Sequence, residues 1–161
     1  KEIQQDAPDL THANAIVGTP FYLAPELITD ASVFGPASDL YALGAVGYYL
    51  LTGHNVFEGG SAVEICAMHL NDEPVLPSQR ISREIPLDLE AVVMACLAKQ
   101  PGDRPRSAEK MSAMLSGCNG YGAWTQAKAQ QWWSSNRSRL PMEQHADTHS
   151  PLSDTGLLMD M

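Results

Sequence analysis

From Leu40 to Leu51 the chain reads Leu-Tyr-Ala-Leu-Gly-Ala-Val-Gly-Tyr-Tyr-Leu-Leu, without a charge at any position. Wound as a helix, this run is apolar on every face, and such a helix is stable in water only when protein surrounds it. It falls well short of the ~20 residues that cross a bilayer, so it predicts the central buried helix of a globular domain. Ser38 is suited to cap it, and Asp39 falls in the first turn, where the helix dipole favours an anion. Gly53 stands where a C-terminal cap belongs, while Gly44 and Gly47 allow a neighbouring backbone to approach closely.

The elements around this helix read as further helices. A short turn is expected after Pro25, through Ile28. Ser61 and Glu64 have capping-box spacing, and the helix they open runs to about Leu70 with Val63, Cys66, Ala67 and Leu70 on one face. Pro74, Pro77 and Pro86 mark a connecting loop. From Leu87 the set Leu89, Val92, Val93, Cys96 and Leu97 repeats at helical spacing to about Lys99. After the turn Gln100–Asp103, Ser107 caps a helix burying Met111, Met114, Leu115 and Cys118, and the stretch from Gly117 to Gly122 ends it. Thr125 caps one more helix, with Trp124 placed to staple against Ala129, Trp132 and Trp133. That helix is expected to dock on the domain; an exposed partner-binding face is the alternative. No segment reads as a strand, and from about Leu140 the Pro, Ser, His and Asp content predicts a disordered tail.

With 161 residues the chain has room for one domain and a tail. Its net charge of −9, ten Lys and Arg against nineteen Asp and Glu, argues against a nucleic-acid partner. Cys66, Cys96 and Cys118 are odd in number and lie in apolar helical patterns, so they read as buried thiols in a reducing, cytoplasmic setting. There is no membrane segment in the sequence. The chain opens on Lys1 without an initiator methionine or a signal peptide, which is expected of a continuation of a longer polypeptide. His145 and His149 have metal-like spacing, but no carboxylate or Cys geometry accompanies them, and they read as solvated tail residues.

Residues 18–26 read Gly-Thr-Pro-Phe-Tyr-Leu-Ala-Pro-Glu. Pro20 and Pro25 fix φ and restrict the residues before them, which predicts a stiff extended segment that presents side chains. This stretch is followed by Ser38-Asp-Leu-Tyr-Ala-Leu-Gly44, by Leu51-Thr-Gly53 with Phe57 behind it, and by Cys96-Leu-Ala-Lys-Gln-Pro-Gly-Asp-Arg-Pro105. Four motifs in this order resemble the C-terminal lobe of a serine/threonine protein kinase of bacterial type, over about residues 1–118.

The resemblance implies a partial kinase domain over 1–118, mainly α with an extended activation segment; the residue patterns beyond it give a linker and Trp-bearing helix over 119–139 and a disordered tail over 140–161. It implies a buried ion pair between Glu26 of Ala-Pro-Glu and Arg104 of Asp-Arg-Pro. Gly18, Thr19, Pro20, Phe21 and Tyr22 would form the platform that positions substrate, with Thr19 helping to present the hydroxyl. Tyr22, where tyrosine kinases place Trp, implies Ser or Thr as acceptor. Asp39 resembles the aspartate that braces the catalytic loop; its alternative is a favourable first-turn charge worth ~0.3–1 kcal/mol. Thr11, in the expected activation segment, is a candidate phosphosite.

The chain itself contains no Gly-x-Gly-x-x-Gly, His-Arg-Asp or Asp-Phe-Gly, and none of Lys1, Lys99, Lys110 or Lys128 sits in a β-branched strand. ATP and Mg²⁺ are therefore expected to belong to an intact enzyme, with protein substrates as partners. The chain alone holds no catalytic residue and no metal site, and is expected to be inactive and poorly soluble or molten. The alternative is a non-catalytic kinase-lobe interaction module.

Overall fold

The computed structural model describes residues 20–139. Thr11, Gly18, Thr19, the expected activation-segment start, the tail and its histidines lie outside the described residues. Those described form two units, one through Tyr121 and the other from Gly122.

Every regular element among the described residues is helical. The first unit holds α1 (Pro25–Thr29), α2 (Pro36–Thr52), α3 (Ala62–Asn71), α4 (Pro77–Arg80), α5 (Leu87–Cys96) and α6 (Ala108–Ser116), with 3₁₀ turns at Pro20–Tyr22, Ala31–Val33 and Pro101–Asp103. Ser61 accepts a hydrogen bond from the Glu64 N–H, and Glu64 reaches back to the Gly60 N–H, so the α3 box closes one residue earlier than its usual form. Ser107 caps α6 in the same way. Gly53 ends α2 in the left-handed conformation at φ 73°.

The central helix α2 packs against α5. A Cβ on Gly44 would stand 2.6 Å from Cys96 Cβ, and one on Gly47 would stand 3.2 Å from Val93 Cγ2, so the two glycines set how closely α2 and α5 approach. On one side of α2, Tyr41, Ala45 and Tyr48 join Phe57, Val93 and Leu97 in the main core. Leu40 joins Val92, Cys96 and Met111 in a second cluster, against which Met114, Leu115 and Cys118 are partly buried.

Several expectations change here. The cap of α2 is Gly35 with Pro36 in the first turn, and Ser38 is instead buried inside that turn with its hydroxyl turned to another element. Protein surrounds only part of α2: Leu43, Val46, Tyr49 and Leu50 are exposed, Leu50 at 77%. The buried face of α3 is Ile65, Cys66 and His69, rotated away from Val63 and Leu70, with a buried histidine beside the aliphatic Ile65. The loop between α3 and α5 contains α4, whose Ser78 N–H donates to the buried Glu90 carboxylate at 2.7 Å. Helix α5 stops at Cys96, since the carbonyls of Ala98 and Lys99 turn to a side chain described below.

The second unit contains α7 (Gln126–Asn136), capped by Thr125, and a 3₁₀ turn at Arg137–Arg139. Within it Trp132 and Trp133 meet edge to face at 5.1 Å, and no residue of α7 is buried.

Candidate functional site

Pro20–Tyr22 is not the extended segment expected of two fixed prolines. It closes as a 3₁₀ turn, with the Leu23 N–H on the Pro20 carbonyl, and Ala24 is extended before Pro25 opens α1. Phe21 and Tyr22 are half-buried, and Tyr22 packs against the main core. Glu26, in the first turn of α1, then faces inward.

Arg104 meets Glu26 there in a two-pronged pair, Nη1 to Oε1 and Nη2 to Oε2, both at 2.7 Å. Its remaining N–H groups are also used: Nη1 on the Ala37 carbonyl, Nη2 on that of Lys99 and Nε on that of Ala98, at 2.8–3.0 Å. All five donors of the guanidinium thus have an acceptor, as a cation with a fully buried side chain requires. The Ser38 hydroxyl gives Glu26 a further donor at 2.8 Å, and the Tyr41 ring lies 4.8 Å beneath the guanidinium carbon. Burial pushes the Glu26 carboxyl up, but the Arg104 hydrogen bonds, a backbone N–H, Ser38 and the Arg104 charge outweigh it and hold it below its ordinary value. One side chain from the Asp-Arg-Pro loop therefore ties α1, the start of α2 and the end of α5 together.

Tyr41 extends this arrangement. Its hydroxyl lies 2.7 Å from His69 Nδ1, and both residues are fully buried. The His69 ring also meets Phe57 edge to face at 4.9 Å. Lys99 donates to the His69 carbonyl at 2.8 Å, capping the end of α3, and lies 4.7 Å from the Phe57 ring centre. Burial, with the nearby Lys99 charge, lowers the His69 pKa to about 4, so the ring is neutral at pH 7. Sequence reasoning passed over His69 and Glu90 and took Ser38 for a helix cap, because a lone polar residue in an apolar pattern carries no sign of the partner that satisfies it.

Asp39 is exposed in the first turn of α2. Among the described residues no three His, Cys, Asp or Glu side chains gather as metal ligands; Lys99 donates to α3 carbonyls and Lys128 to the Ala123 carbonyl. No described helix is long and apolar enough to cross a membrane.

A helical lobe in which the Ala-Pro-Glu carboxylate is gripped by the arginine of a distant Asp-Arg-Pro loop defines the class, and the protein kinase domain family matches residues 2–115. The chain belongs to that family. Bacterial kinases are among its relatives: it is 42% identical over 110 residues to the serine/threonine-protein kinase PknB of Mycobacterium leprae, covering 68% of this chain and 17% of that protein. It is 41% identical over 111 residues to the serine/threonine-protein kinase pkn3 of Myxococcus xanthus, covering 68% of this chain and 20% of that one. With the serine/threonine-protein kinase PkaA of Streptomyces coelicolor it shares 42% over 110 residues, covering 68% and 19%. The chain spans about a fifth of the length of these curated relatives.

Proposed function

We propose that this chain is the C-terminal part of a serine/threonine protein kinase, which transfers the γ-phosphoryl group of ATP to Ser or Thr of protein substrates and is inactive without its upstream lobe. The observation that carries this reading is the Arg104 grip on Glu26. Five filled donors immobilise α1, and the turn Pro20–Tyr22 leads directly into it. Phosphoryl transfer depends mainly on positioning and electrostatics, so a rigid platform next to the reacting hydroxyl is what such an enzyme needs from this part of its chain.

In this reading Gly18 to Tyr22 position the acceptor, Asp39 braces the catalytic loop and Thr11 is a phosphosite. ATP and Mg²⁺ sit on residues upstream. The exposed Leu43, Val46 and Leu50 follow one another along one face of α2 and are covered by the preceding part of the lobe. The exposed Trp124, Trp132 and Trp133 favour a second reading, a non-catalytic module that binds a partner through its aromatic helix.

Transfer of labelled phosphate from ATP to a basic protein separates the two, comparing this chain with the same chain extended upstream through an ATP-binding lobe. The kinase reading expects transfer by the extended protein only, lost on Asp39→Ala or Thr19→Ala. Absence of transfer from both, with a partner captured by this chain alone, overturns it in favour of the module.

A further inference from the structure

All three tryptophans of the chain, Trp124, Trp132 and Trp133, stand in the second unit, and each is exposed, at 63%, 41% and 54%. Lys128, Arg137 and Arg139 stand among them without an acid. The chain carries nineteen Asp and Glu, yet those flanking this stretch in sequence are as far off as Glu109 and Glu143. Among the described residues none of the three cations is held in an ion pair. In a chain of net charge −9 this is a local basic island. The helix also sorts its side chains. Trp132 and Trp133 follow Ala129 by three and four residues and share its face. Lys128 stands one turn before Trp132 and Arg137 one turn after Trp133, so cations border the aromatic face on both sides. Gln131 and Ser134 fall on the opposite side. The helix is held before any ligand arrives: Thr125 caps its start, and the Asn136 amide donates to the Trp132 carbonyl at 2.9 Å near its end. The Lys128 ammonium donates to the Ala123 carbonyl at 2.7 Å and has two N–H donors to spare.

We infer that this unit is a peripheral membrane-binding element, with α7 lying along an anionic lipid surface, Trp132 and Trp133 at headgroup depth, and Lys128, Arg137 and Arg139 over the lipid phosphates. Charge complementarity selects this occupant. An anionic bilayer repels the acidic remainder of the chain and attracts the basic island, and the field fades within a Debye length of roughly 8 Å. Indole rings suit the depth, because their apolar body and N–H tip settle at the boundary between lipid and water. A protein groove would instead call for aliphatic anchors repeated over several turns, and this face carries only Ala129 and the two tryptophans. The helix is neither long nor apolar enough to cross a bilayer. Binding of this kind is reversible, since one short helix supplies a single weak signal. The inference concerns the second unit and stands whether or not the first belongs to an active kinase. It gives the exposed tryptophans a ligand other than a partner protein, and so takes away the observation that favours the module reading.

The chain's own fluorescence tests this, since every tryptophan lies in the proposed contact. The 161-residue chain is titrated with vesicles of phosphatidylglycerol and phosphatidylcholine in equal parts, and with vesicles of phosphatidylcholine alone. The expected result is a blue shift of the emission on the mixed vesicles, with partitioning roughly 100-fold weaker on the neutral ones, at about fivefold per cation. The triple variant Lys128→Gln/Arg137→Gln/Arg139→Gln should lose the same factor. Salt at about 1 M, which shortens the screening length to about 3 Å, should do likewise in the wild type. Trp132→Ser/Trp133→Ser should weaken binding while Trp124 still reports. All these side chains are exposed, so the substitutions should leave the first unit folded. Emission unchanged by the mixed vesicles, equal partitioning into both kinds, or a charge variant that binds like the wild type overturns the inference; the last is what adsorption through the bare face of α2 would give. Emission already blue-shifted without lipid also overturns it, and loss of that shift on dilution would assign the face to a second copy of the chain.

Discussion

Arg104→Met is the perturbation with the largest expected effect. It removes five hydrogen bonds at once, two to the Glu26 carboxylate and three to the carbonyls of Ala37, Ala98 and Lys99. The side chain is wholly buried and that of Glu26 is 14% exposed, so little water is available to replace it. Ser38 would be the remaining side-chain donor to a carboxylate sealed in the protein. Breaking a buried pair from one side costs about 3–5 kcal/mol, whereas an exposed pair contributes about 0–1 kcal/mol. In a kinase-sized domain, at about 3 °C per kcal/mol, the melting temperature should drop by roughly 9–15 °C. Glu26→Gln strands the guanidinium charge instead and should cost a comparable amount. Arg104→Lys keeps the charge but cannot span two carboxylate oxygens and three carbonyls, so it should fall between. The assay is thermal and urea unfolding of wild type, both single variants and the double, read as a mutant cycle. A loss below about 1 kcal/mol for Arg104→Met, or no coupling between the two positions, would refute the argument that the pair anchors the lobe.

Four further outcomes follow from the same geometry. The His69 pKa lies below that of an unfolded histidine, so the unfolded chain binds the extra proton; stability should fall as pH drops from about 6.5 to about 4, by roughly 3 kcal/mol, and His69→Phe should flatten that limb of an unfolding-versus-pH curve. Glu26, whose pKa is lowered, stabilises fully above its ordinary value of 4.5 and loses that contribution as pH falls through its folded value, so a second acid limb should vanish in Glu26→Gln. Gly44→Ala should cost about 1–3 kcal/mol in a urea melt, since its Cβ would meet Cys96 Cβ at 2.6 Å, whereas Gly47→Ala, facing the methyl of Val93 at 3.2 Å, should cost less. Burial pushes the Cys96 thiol up to about 11 and raises Cys66 too, so alkylation at pH 8 followed by mass spectrometry should label the partly exposed Cys118 first and Cys96 only on unfolding.

Much of the helical framework was legible in the sequence because its signals are local. Ser61, Ser107 and Thr125 each cap the helix that their spacing announced, and Gly53 ends α2 where a left-handed residue was needed. Such features depend on a few neighbouring residues, and so a linear reading reaches them. Gly44 and Gly47 likewise announced a close approach, though not that α5 would supply it. The motifs also named Glu26 and Arg104 as partners before any geometry was available, and the structure brings them within 2.7 Å.

What only the tertiary structure decided lies in the polar interior. Ser38 looked like a helix cap and is a ligand of Glu26, because Pro36 starts the helix earlier and turns the hydroxyl toward α1. The buried face of α3 includes His69 beside Ile65 and Cys66, where the periodicity pointed to Val63 and Leu70, and Glu90 is buried to hold the N-terminus of α4. Apolar burial follows a periodicity that a sequence displays along its own length. A buried polar group is stable only when a partner from a distant segment reaches it in the right direction, and that partnership exists only once the chain has folded.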